Sequence, residues 1–294
     1  MDSYLIGLVG TGIGPSLTPA LHEREAAERG IPYIYKRLDL DVLGIRPDQL
    51  GDLLDNARRL GFDGLNITHP GKQLVLDHVD ELSPDAEALG AVNTVVFDGG
   101  RAIGHNTDWS GFARSFARGL PDAVLGPVVL IGAGGAGAAV AHAALTLGAD
   151  ELCVVDVDAA RADTLAGALR ERFGDHRVTA GAHGDLPAHL RRADGVIHAT
   201  PTGMAAHPGL PLDPADLRPE MWVADVVYRP LETELVTRAR ALGCPTLDGG
   251  GMAVFQAVDA FRVFTGIEPD AERMLRHFAT LVGAESSDTV ERVR

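Results

Sequence analysis

The stretch Val128–Gly137 reads V-V-L-I-G-A-G-G-A-G, and it decides the fold of this chain. Its four leading apolar residues, three of them β-branched, predict a short buried strand. Gly132, Gly134 and Gly137 follow in the spacing G-x-G-x-x-G, and the small and apolar residues of 138–147 predict a helix. A strand, a glycine turn and a helix in this order are typical of a dinucleotide-binding site.

Each glycine of this turn has its own predicted role. Gly132 lets the chain turn tightly out of the strand, Gly134 lets a pyrophosphate approach the backbone, and Gly137 lets the helix pack closely on the strand. The start of the helix presents unpaired N–H groups and a positive dipole end to the phosphates. We therefore predict cofactor contacts from the whole turn, which comprises Gly132, Ala133, Gly134, Gly135, Ala136 and Gly137.

The next predicted strand, Glu151–Asp156, ends on a carboxylate nineteen residues after Gly137. A carboxylate at this position can accept hydrogen bonds from the ribose hydroxyls of an adenosine. The alternative is a glycine-rich turn that binds nothing, with Asp156 capping the following helix. The succession of strand, three glycines, helix, second strand and acid favours the dinucleotide site.

The composition restricts the classes of protein and partner. A chain of 294 residues with 46% hydrophobic residues has ample core for one large or two medium domains. Its net charge of −15 argues against nucleic-acid and anionic-membrane partners, although a small anionic substrate is compatible with it. Two distant cysteines in apolar runs, and no apolar N-terminal signal, predict a cytoplasmic protein with reduced thiols. The uncharged run 127–149 is long enough to span a bilayer, but its early glycines favour a buried strand and helix.

The rest of the chain predicts an α/β protein of two domains. Strand and helix patterns alternate between residues 4 and 104, and they alternate again between residues 127 and 247. The second alternation predicts a doubly wound parallel sheet, the Rossmann arrangement. Helices after residue 250 would return to the first half. We therefore predict a substrate-binding domain of residues 1–108 and 250–294, and a dinucleotide-binding domain of residues 109–249.

Several polar residues of the first half stand where strands end, which is where α/β domains bind ligands. They are Asn66–Lys72 (N-I-T-H-P-G-K), Asn93 and His105–Trp109, which includes Asp108. Oxidation of a secondary alcohol needs a group that takes the hydroxyl proton, and a lysine beside a carboxylate can do this. The plainer interpretations are a solvated helix residue for Lys72 and a helix cap for Asp108. A helix cap is also expected at Thr18, before Pro19.

The histidines do not predict a metal site, because the H-E-x-x-H spacing is absent. His183, His189, His198 and His207 are irregularly spaced along the second half. We expect these four residues on the surface or in loops.

Six motifs, in order along the chain, show that the sequence resembles the shikimate dehydrogenase family from Gly10 to about Val282. The motifs are S-L-T-P-A-L-H at Ser16–His22, N-I-T-H-P-G-K at Asn66–Lys72, G-A-V-N-T at Gly90–Thr94, N-T-D at Asn106–Asp108, D-V-V-Y-R-P-L-E-T at Asp225–Thr233 and G-M-A-V-F-Q at Gly251–Gln256. The resemblance implies an N-terminal substrate domain, a Rossmann domain and a cleft between them. It also implies reversible oxidation of a ring hydroxyl of shikimate or quinate, giving 3-dehydroshikimate or 3-dehydroquinate.

The resemblance assigns roles to residues of this chain. It implies that Lys72 is the general acid/base and that Asp108 orients it and the reacting hydroxyl. The substrate carboxylate would be bound by Ser16 and Thr18. The other implied substrate contacts are Thr68, Asn93, Gln256 and Tyr228, and the other implied cofactor contacts are Thr200, Val227 and Gly249.

The chain departs from the family pattern at several points. Thr18 stands for the usual second serine, Glu23 for the usual asparagine and Gly71 for a frequent aromatic residue. The common biosynthetic enzymes carry a basic N-R-T-like cluster after the second Rossmann strand, whereas this chain reads D-V-D-A-A-R over residues 156–161. In this respect, and in the threonine, it resembles the NAD-dependent quinate/shikimate dehydrogenases.

NAD is therefore the predicted cofactor, although Arg161 is near enough in sequence to accommodate a 2′-phosphate. One alternative is an NADP-dependent biosynthetic shikimate dehydrogenase, against which Asp156 argues. Another is a dinucleotide-sensing protein without turnover, against which the presence of both Lys72 and Asp108 argues. Quinate and shikimate stay equal as candidate substrates, and a monomer or a homodimer is expected.

Overall fold

The computed structural model describes residues 3–292, with side chains described up to residue 283. The chain divides into two compact units. The first unit combines Met1–Thr107 with Val254–Arg294, and the second is Asp108–Ala253. Each unit is an α/β fold built on a six-stranded sheet.

The first unit contains a mixed sheet. Its strands are β1 (Tyr4–Gly10), β2 (Tyr33–Asp39), β3 (Gly64–Ile67), β4 (Glu81–Leu82), β5 (Thr94–Asp98) and β6 (Arg101–His105). Its helices before residue 107 are α1 (Thr18–Glu28), α2 (Leu40–Leu43), α3 (Leu50–Arg59), α4 (Gly71–Leu74) and α5 (Pro84–Leu89). The strand order is β2-β1-β3-β5-β6-β4, with β1 parallel to both neighbours and the β5–β6 hairpin antiparallel.

The helices of the first unit cover this sheet through their apolar faces. On α3 the buried residues are Leu50, Leu54 and Ala57, which lie on one face at helical spacing. A glycine is required in β3, because a Cβ at Gly64 would lie 2.5 Å from the ring of Phe264. The short elements α2, β4 and α5 are additional to those predicted from the sequence.

The second unit contains the doubly wound parallel sheet that the sequence predicts. Its strands are β7 (Pro127–Ile131), β8 (Glu151–Asp156), β9 (Val178–Ala182), β10 (Gly195–His198), β11 (Trp222–Asp225) and β12 (Thr246–Leu247). Its helices are α6 (Asp108–Gly119), α7 (Gly135–Leu147), α8 (Ala159–Phe173), α9 (Leu186–Leu190) and α10 (Glu234–Leu242). The strand order is β12-β11-β10-β7-β8-β9 and every pairing is parallel, which confirms the predicted fold class.

The central strand β7 is buried on both faces, as its uniformly apolar sequence requires. Val128 and Leu130 belong to the core on one side of the sheet, and Val129 and Ile131 belong to the core on the other. Ligands of such sheets bind beyond the carboxyl ends of the strands, where the strand order reverses. In this unit that point lies between β7 and β10.

Two further helices, α11 (Gly249–Thr265) and α12 (Ala271–Arg292), complete the chain. Across the residues that the structure describes, no helix combines the length and the apolar character needed to cross a membrane.

Candidate active site

The glycine turn of the second unit has the geometry that its sequence predicts. Gly132 has φ +108°, and a Cβ on it would lie 2.6 Å from the carbonyl oxygen of Ala199. A Cβ on Gly137 would lie 2.0 Å from the carbonyl oxygen of Gly132, so the first turn of α7 packs directly on the glycine turn. A Cβ on Gly134, in contrast, would meet no atom within 4 Å. This open, exposed backbone at the start of α7 suits a bound pyrophosphate.

Asp156, at the end of β8, holds the glycine turn. Its Oδ2 accepts a 2.8 Å hydrogen bond from the backbone N–H of Ala133, and its Oδ1 accepts one of 2.9 Å from Asp158. The carboxylate is therefore fixed beside the turn, with acceptor sites left on both oxygens. The alternative role of helix cap belongs to Asp158, whose carboxylate accepts a 3.0 Å hydrogen bond from Ala160.

Arg161, the other candidate for a cofactor phosphate, lies in the first turn of α8. Its guanidinium is 3.5 Å from the carboxylate of Asp158, and both side chains are more than half exposed. An exposed pair of this kind is worth at most about 1 kcal/mol. The arginine therefore already has an acidic partner, held weakly.

A buried polar network joins the carboxyl ends of β10 and β11. The Nδ1–H of His198 donates to Asp225 at 2.9 Å, and its Nε2 lies 2.5 Å from the hydroxyl of Thr200. Asp225 also accepts the backbone N–H of Val227 at 3.0 Å and the hydroxyl of Thr233 at 2.7 Å. Thr233 in turn caps α10. The network therefore holds the segments that carry Thr200 and Val227.

The expectation of a surface or loop position is wrong for His198. Its side chain is fully buried at the end of β10, because a carboxylate and a hydroxyl satisfy both of its ring nitrogens. Irregular spacing along the chain cannot reveal a partner that lies 27 residues away. Among the residues that the structure describes, no group of three or more His, Cys, Asp or Glu is placed to hold a metal ion.

In the first unit, the motif Ser16–Thr18 leads into the N-terminus of α1. The cap position is occupied by Leu17 rather than Thr18, so the predicted Thr18 cap is wrong. Instead, the hydroxyl of Ser16 accepts the backbone N–H of Thr18 at 3.3 Å, and Arg37 donates to the backbone oxygen of Ser16 at 2.8 Å. Arg37 brings a positive charge to the N-terminus of α1, although no sequence motif indicates it.

Thr68 and Lys72 follow β3, the neighbour of β1. Gly10 leaves room for Thr68, because a Cβ there would lie 2.3 Å from the threonine methyl group. Lys72 is half-buried on α4, and its carbonyl oxygen accepts the backbone N–H of Val92 at 2.8 Å. The carboxyl ends of the adjacent strands β1 and β3 therefore bring these two residues to one edge of the sheet, the edge at which these strands end.

Asn93 joins the same edge, since its carbonyl oxygen accepts the backbone N–H of Ile67 at 2.8 Å. Its side chain is 3% exposed and bonds to Thr94 and Thr107. Of the remaining predicted substrate contacts, Gln256 belongs to the first unit. Asp108 and Tyr228, and all of the predicted cofactor contacts, belong to the second.

Comparison with known proteins gives matches over nearly the whole chain. A family model described as the shikimate dehydrogenase substrate binding domain matches residues 8–95. A model described as the saccharopine dehydrogenase NADP binding domain matches residues 128–206. A shikimate dehydrogenase (NADP(+)) of Streptomyces avermitilis is 67% identical over 282 residues, which cover 96% of this chain and 97% of that protein. This chain belongs to the shikimate dehydrogenase family.

The family members that are similar to this chain are named for two different cofactors, NADP and NAD. A quinate/shikimate dehydrogenase (NAD(+)) of Corynebacterium efficiens is 52% identical over 281 residues, which cover 95% of this chain and 99% of that protein. Among solved structures, quinate dehydrogenase from Corynebacterium glutamicum in complex with NAD has a TM-score of 0.90 at 50% identity. That match covers 95% of this chain and all of the other. The resemblance read from the six motifs is thus confirmed, as an oxidoreductase of this family.

Proposed function

We propose that this protein catalyses the reversible NAD-dependent oxidation of the ring hydroxyl of shikimate, quinate or both. The observation that carries the proposal is the convergence of Thr68, Lys72 and Asn93 at one edge of the sheet in a member of this family. In the proposal the first unit binds the cyclic hydroxy acid, and the second unit binds the dinucleotide. The relatives named above support both substrates and do not rank them.

In the proposed reaction Lys72 takes the proton of the ring hydroxyl, with Asp108 orienting the lysine and that hydroxyl. A nicotinamide held by the second unit would supply the acceptor for the hydride of the same carbon, and loss of the proton and of the hydride leaves a ketone. The hydroxyls of Ser16 and Thr18 bind the substrate carboxylate by charge-assisted hydrogen bonds. The remaining ring hydroxyls are contacted by Thr68, Asn93, Gln256 and Tyr228. The reverse reaction returns the proton from Lys72 to the ketone oxygen.

Two features of the second unit support NAD as the cofactor. The fixed carboxylate of Asp156 offers acceptors to ribose hydroxyls, and it would repel a 2′-phosphate at the same place. Asp158 adds a second negative charge two residues on and already engages Arg161. The cofactor turn, with Thr200, Val227 and Gly249, would hold the rest of the dinucleotide.

A second candidate function is NADP-dependent oxidation of shikimate. It is favoured by the 67% identity to a protein named for NADP, which exceeds the 52% identity to one named for NAD. In this case Arg161 would leave Asp158 and contact the 2′-phosphate.

One assay tests these functions together. The purified protein is mixed with shikimate or quinate and with NAD or NADP, and the absorbance of the reduced nicotinamide is followed. We expect turnover with at least one of the two acids and a higher rate with NAD. Turnover with NADP alone would establish the second candidate. If no combination turned over while calorimetry still detected cofactor binding, a dinucleotide-sensing protein would replace both.

A further inference from the structure

A chain of buried side-chain hydrogen bonds leads from β2 to Asn93 inside the first unit. The hydroxyl of Tyr35 is 2.6 Å from Oδ1 of Asn66, and Nδ2 of Asn66 is 2.9 Å from the hydroxyl of Thr94. That hydroxyl is 3.0 Å from Oδ1 of Asn93. We call Tyr35, Asn66, Thr94 and Asn93 the relay. All four side chains are at most 5% exposed.

Contacts with two backbone groups identify the nitrogen and the oxygen of both amides in the relay. The backbone carbonyl oxygen of Asn93 lies 3.2 Å from the side chain of Asn66, and it can only accept. The atom of Asn66 that faces it is therefore the amide nitrogen. The backbone N–H of Thr107 lies 2.8 Å from the side chain of Asn93, and it can only donate. The atom of Asn93 that faces it is therefore the amide oxygen.

The orientations of the two amides determine where the hydroxyl protons of Thr94 and Tyr35 point. Thr94 receives an N–H from Asn66, so its own proton points to Oδ1 of Asn93. Tyr35 faces the amide oxygen of Asn66 and so donates to it; burial raises the pKa of Tyr35 well above its usual value, which keeps the proton in place. Every donor in the relay thus points towards Asn93, an arrangement in which hydrogen bonds polarise and strengthen one another.

The relay leaves Asn93 with a defined polarity. Its Oδ1 receives the hydroxyl of Thr94 and the backbone N–H of Thr107, which together use its two lone pairs. Its Nδ2 donates one proton to the hydroxyl of Thr107 at 3.0 Å. What the amide has left for a ligand is its second N–H.

We propose that Tyr35, Asn66 and Thr94 are positioning residues that fix the Asn93 amide so that it meets the substrate as an N–H donor. The proposal rests on the proposed function, because it takes Asn93 as a substrate contact. The ring group facing Asn93 must then offer a lone pair, as a hydroxyl does. A protonated amine at that ring position offers none, so the relay selects hydroxy acids over their ammonium analogues.

The chain offers a matched pair of variants for the test. Tyr33 and Tyr35 lie two residues apart on β2, and the hydroxyl of Tyr33 lies 3.0 Å from Nδ1 of His22 rather than in the relay. Tyr35→Phe and Tyr33→Phe each remove one partly or fully buried hydroxyl and keep the ring. Only Tyr35→Phe leaves Oδ1 of Asn66 without its donor.

We expect Tyr35→Phe to raise KM for the hydroxy acid roughly threefold to tenfold, the worth of one hydrogen bond, and to change kcat by less than about twofold. Tyr33→Phe should leave KM within about twofold of the wild type. Thr94→Val, which keeps the shape but removes the hydroxyl, should act like Tyr35→Phe, and Thr94→Ser should restore KM. Thermal unfolding of each variant identifies any that fails to fold, and the threonine pair then carries the test.

A double-mutant cycle separates action through Asn93 from a general structural effect. In an Asn93→Ala background, Tyr35→Phe should no longer change KM, because the group that it positions is gone. An equal rise of KM in both backgrounds, or equal effects of Tyr33→Phe and Tyr35→Phe, would overturn the relay and leave the proposed function intact. A wild type inactive on both acids would instead overturn the proposed function, and the relay with it.

Discussion

Asp156 is the residue that we expect to have the largest effect on the choice between NAD and NADP. The 2′-phosphate of NADP adds about −1.5 to −2 charges near neutral pH. At about 5 Å from a carboxylate, this charge costs roughly 1.5 kcal/mol in water and about 6 kcal/mol at an effective dielectric constant of 20. Asp156 is half-buried, so its environment lies between these limits. Even the water limit corresponds to roughly tenfold, and we expect NAD to be preferred by at least that factor in kcat/KM.

The perturbation is Asp156→Ser. It removes the charge that repels the phosphate, and it removes a charged acceptor whose hydrogen bond to a ribose hydroxyl is worth about 1.5–3 kcal/mol. It also removes an acceptor from the backbone N–H of Ala133 or of Asp158, since one hydroxyl cannot replace two carboxylate oxygens. Loosening of the glycine turn weakens the binding of NAD and the binding of NADP together. The informative quantity is therefore the ratio of the two kcat/KM values, and this ratio should fall towards one.

Two control variants accompany the measurement of kcat/KM with NAD and with NADP. Asp158→Asn keeps the helix cap, because asparagine caps as well as aspartate, and it removes the partner of Arg161. Arg161→Ala removes the arginine itself. We expect Arg161→Ala to leave the NAD/NADP ratio within about fivefold, since the exposed pair that it breaks is worth at most about 1 kcal/mol. Equal use of both cofactors by the wild type would refute the reasoning. So would a loss of NADP turnover in Arg161→Ala with no change of the ratio in Asp156→Ser.

Three further predictions concern the first unit. Lys72→Ala should lower kcat by ~10²–10⁴-fold with little change in NAD affinity. Steady-state kinetics measures kcat, and a fluorescence titration with NADH measures the affinity. Near-normal turnover would contradict the role of Lys72. Glu25 is 1% exposed and accepts from Arg273 at 2.6 and 2.7 Å, while Arg29 is its second cationic partner. Because Arg29 stays, Arg273→Met should cost about 2 kcal/mol in urea unfolding, the worth of hydrogen bonds to a charged group. Replacement of the exposed Arg24 in Arg24→Met should cost under about 1 kcal/mol. Burial lowers the pKa of His22 to about 3, so its neutral form stabilises the fold fully above pH 6.5. That contribution declines by about 1.4 kcal/mol per pH unit as the pH falls below 6.5, and an unchanged slope in His22→Phe would contradict this account.

Much of the second unit could be predicted because its signals are local. The turn from Gly132 to Gly137 packs against itself, with Gly132 and Gly137 in direct contact, so these six residues of sequence determine its shape. Strands buried on both faces have mostly apolar sequences, and β7 and β8 lie close to the bounds predicted for them. The short elements of the first unit, such as α5 with six residues, have too few residues for a periodicity to show.

Side-chain partners in the site could not be predicted in the same way. Thr18 has the residue type of a cap, but the helix begins one residue earlier than the sequence indicates, and Ser16 receives its N–H instead. His198 has Thr200 near it in sequence for one ring nitrogen, but no residue near it in sequence satisfies the other. Its partner Asp225 is brought beside it only because β10 and β11 are adjacent in the sheet.

By itself, the sequence determined the family, the doubly wound sheet, the glycine turn and the acid at the end of β8. These depend on residue type and on spacing within one strand-turn-helix unit, where backbone geometry leaves few choices. Only the tertiary structure decided that Asp156 holds the turn and that Tyr35, 31 residues from Asn66, stands at the head of a hydrogen-bonded chain to Asn93. The physical reason is that β2, β3 and β5 are brought near one another by the order β2-β1-β3-β5 of the sheet, which depends on the packing of the whole unit rather than on any local pattern.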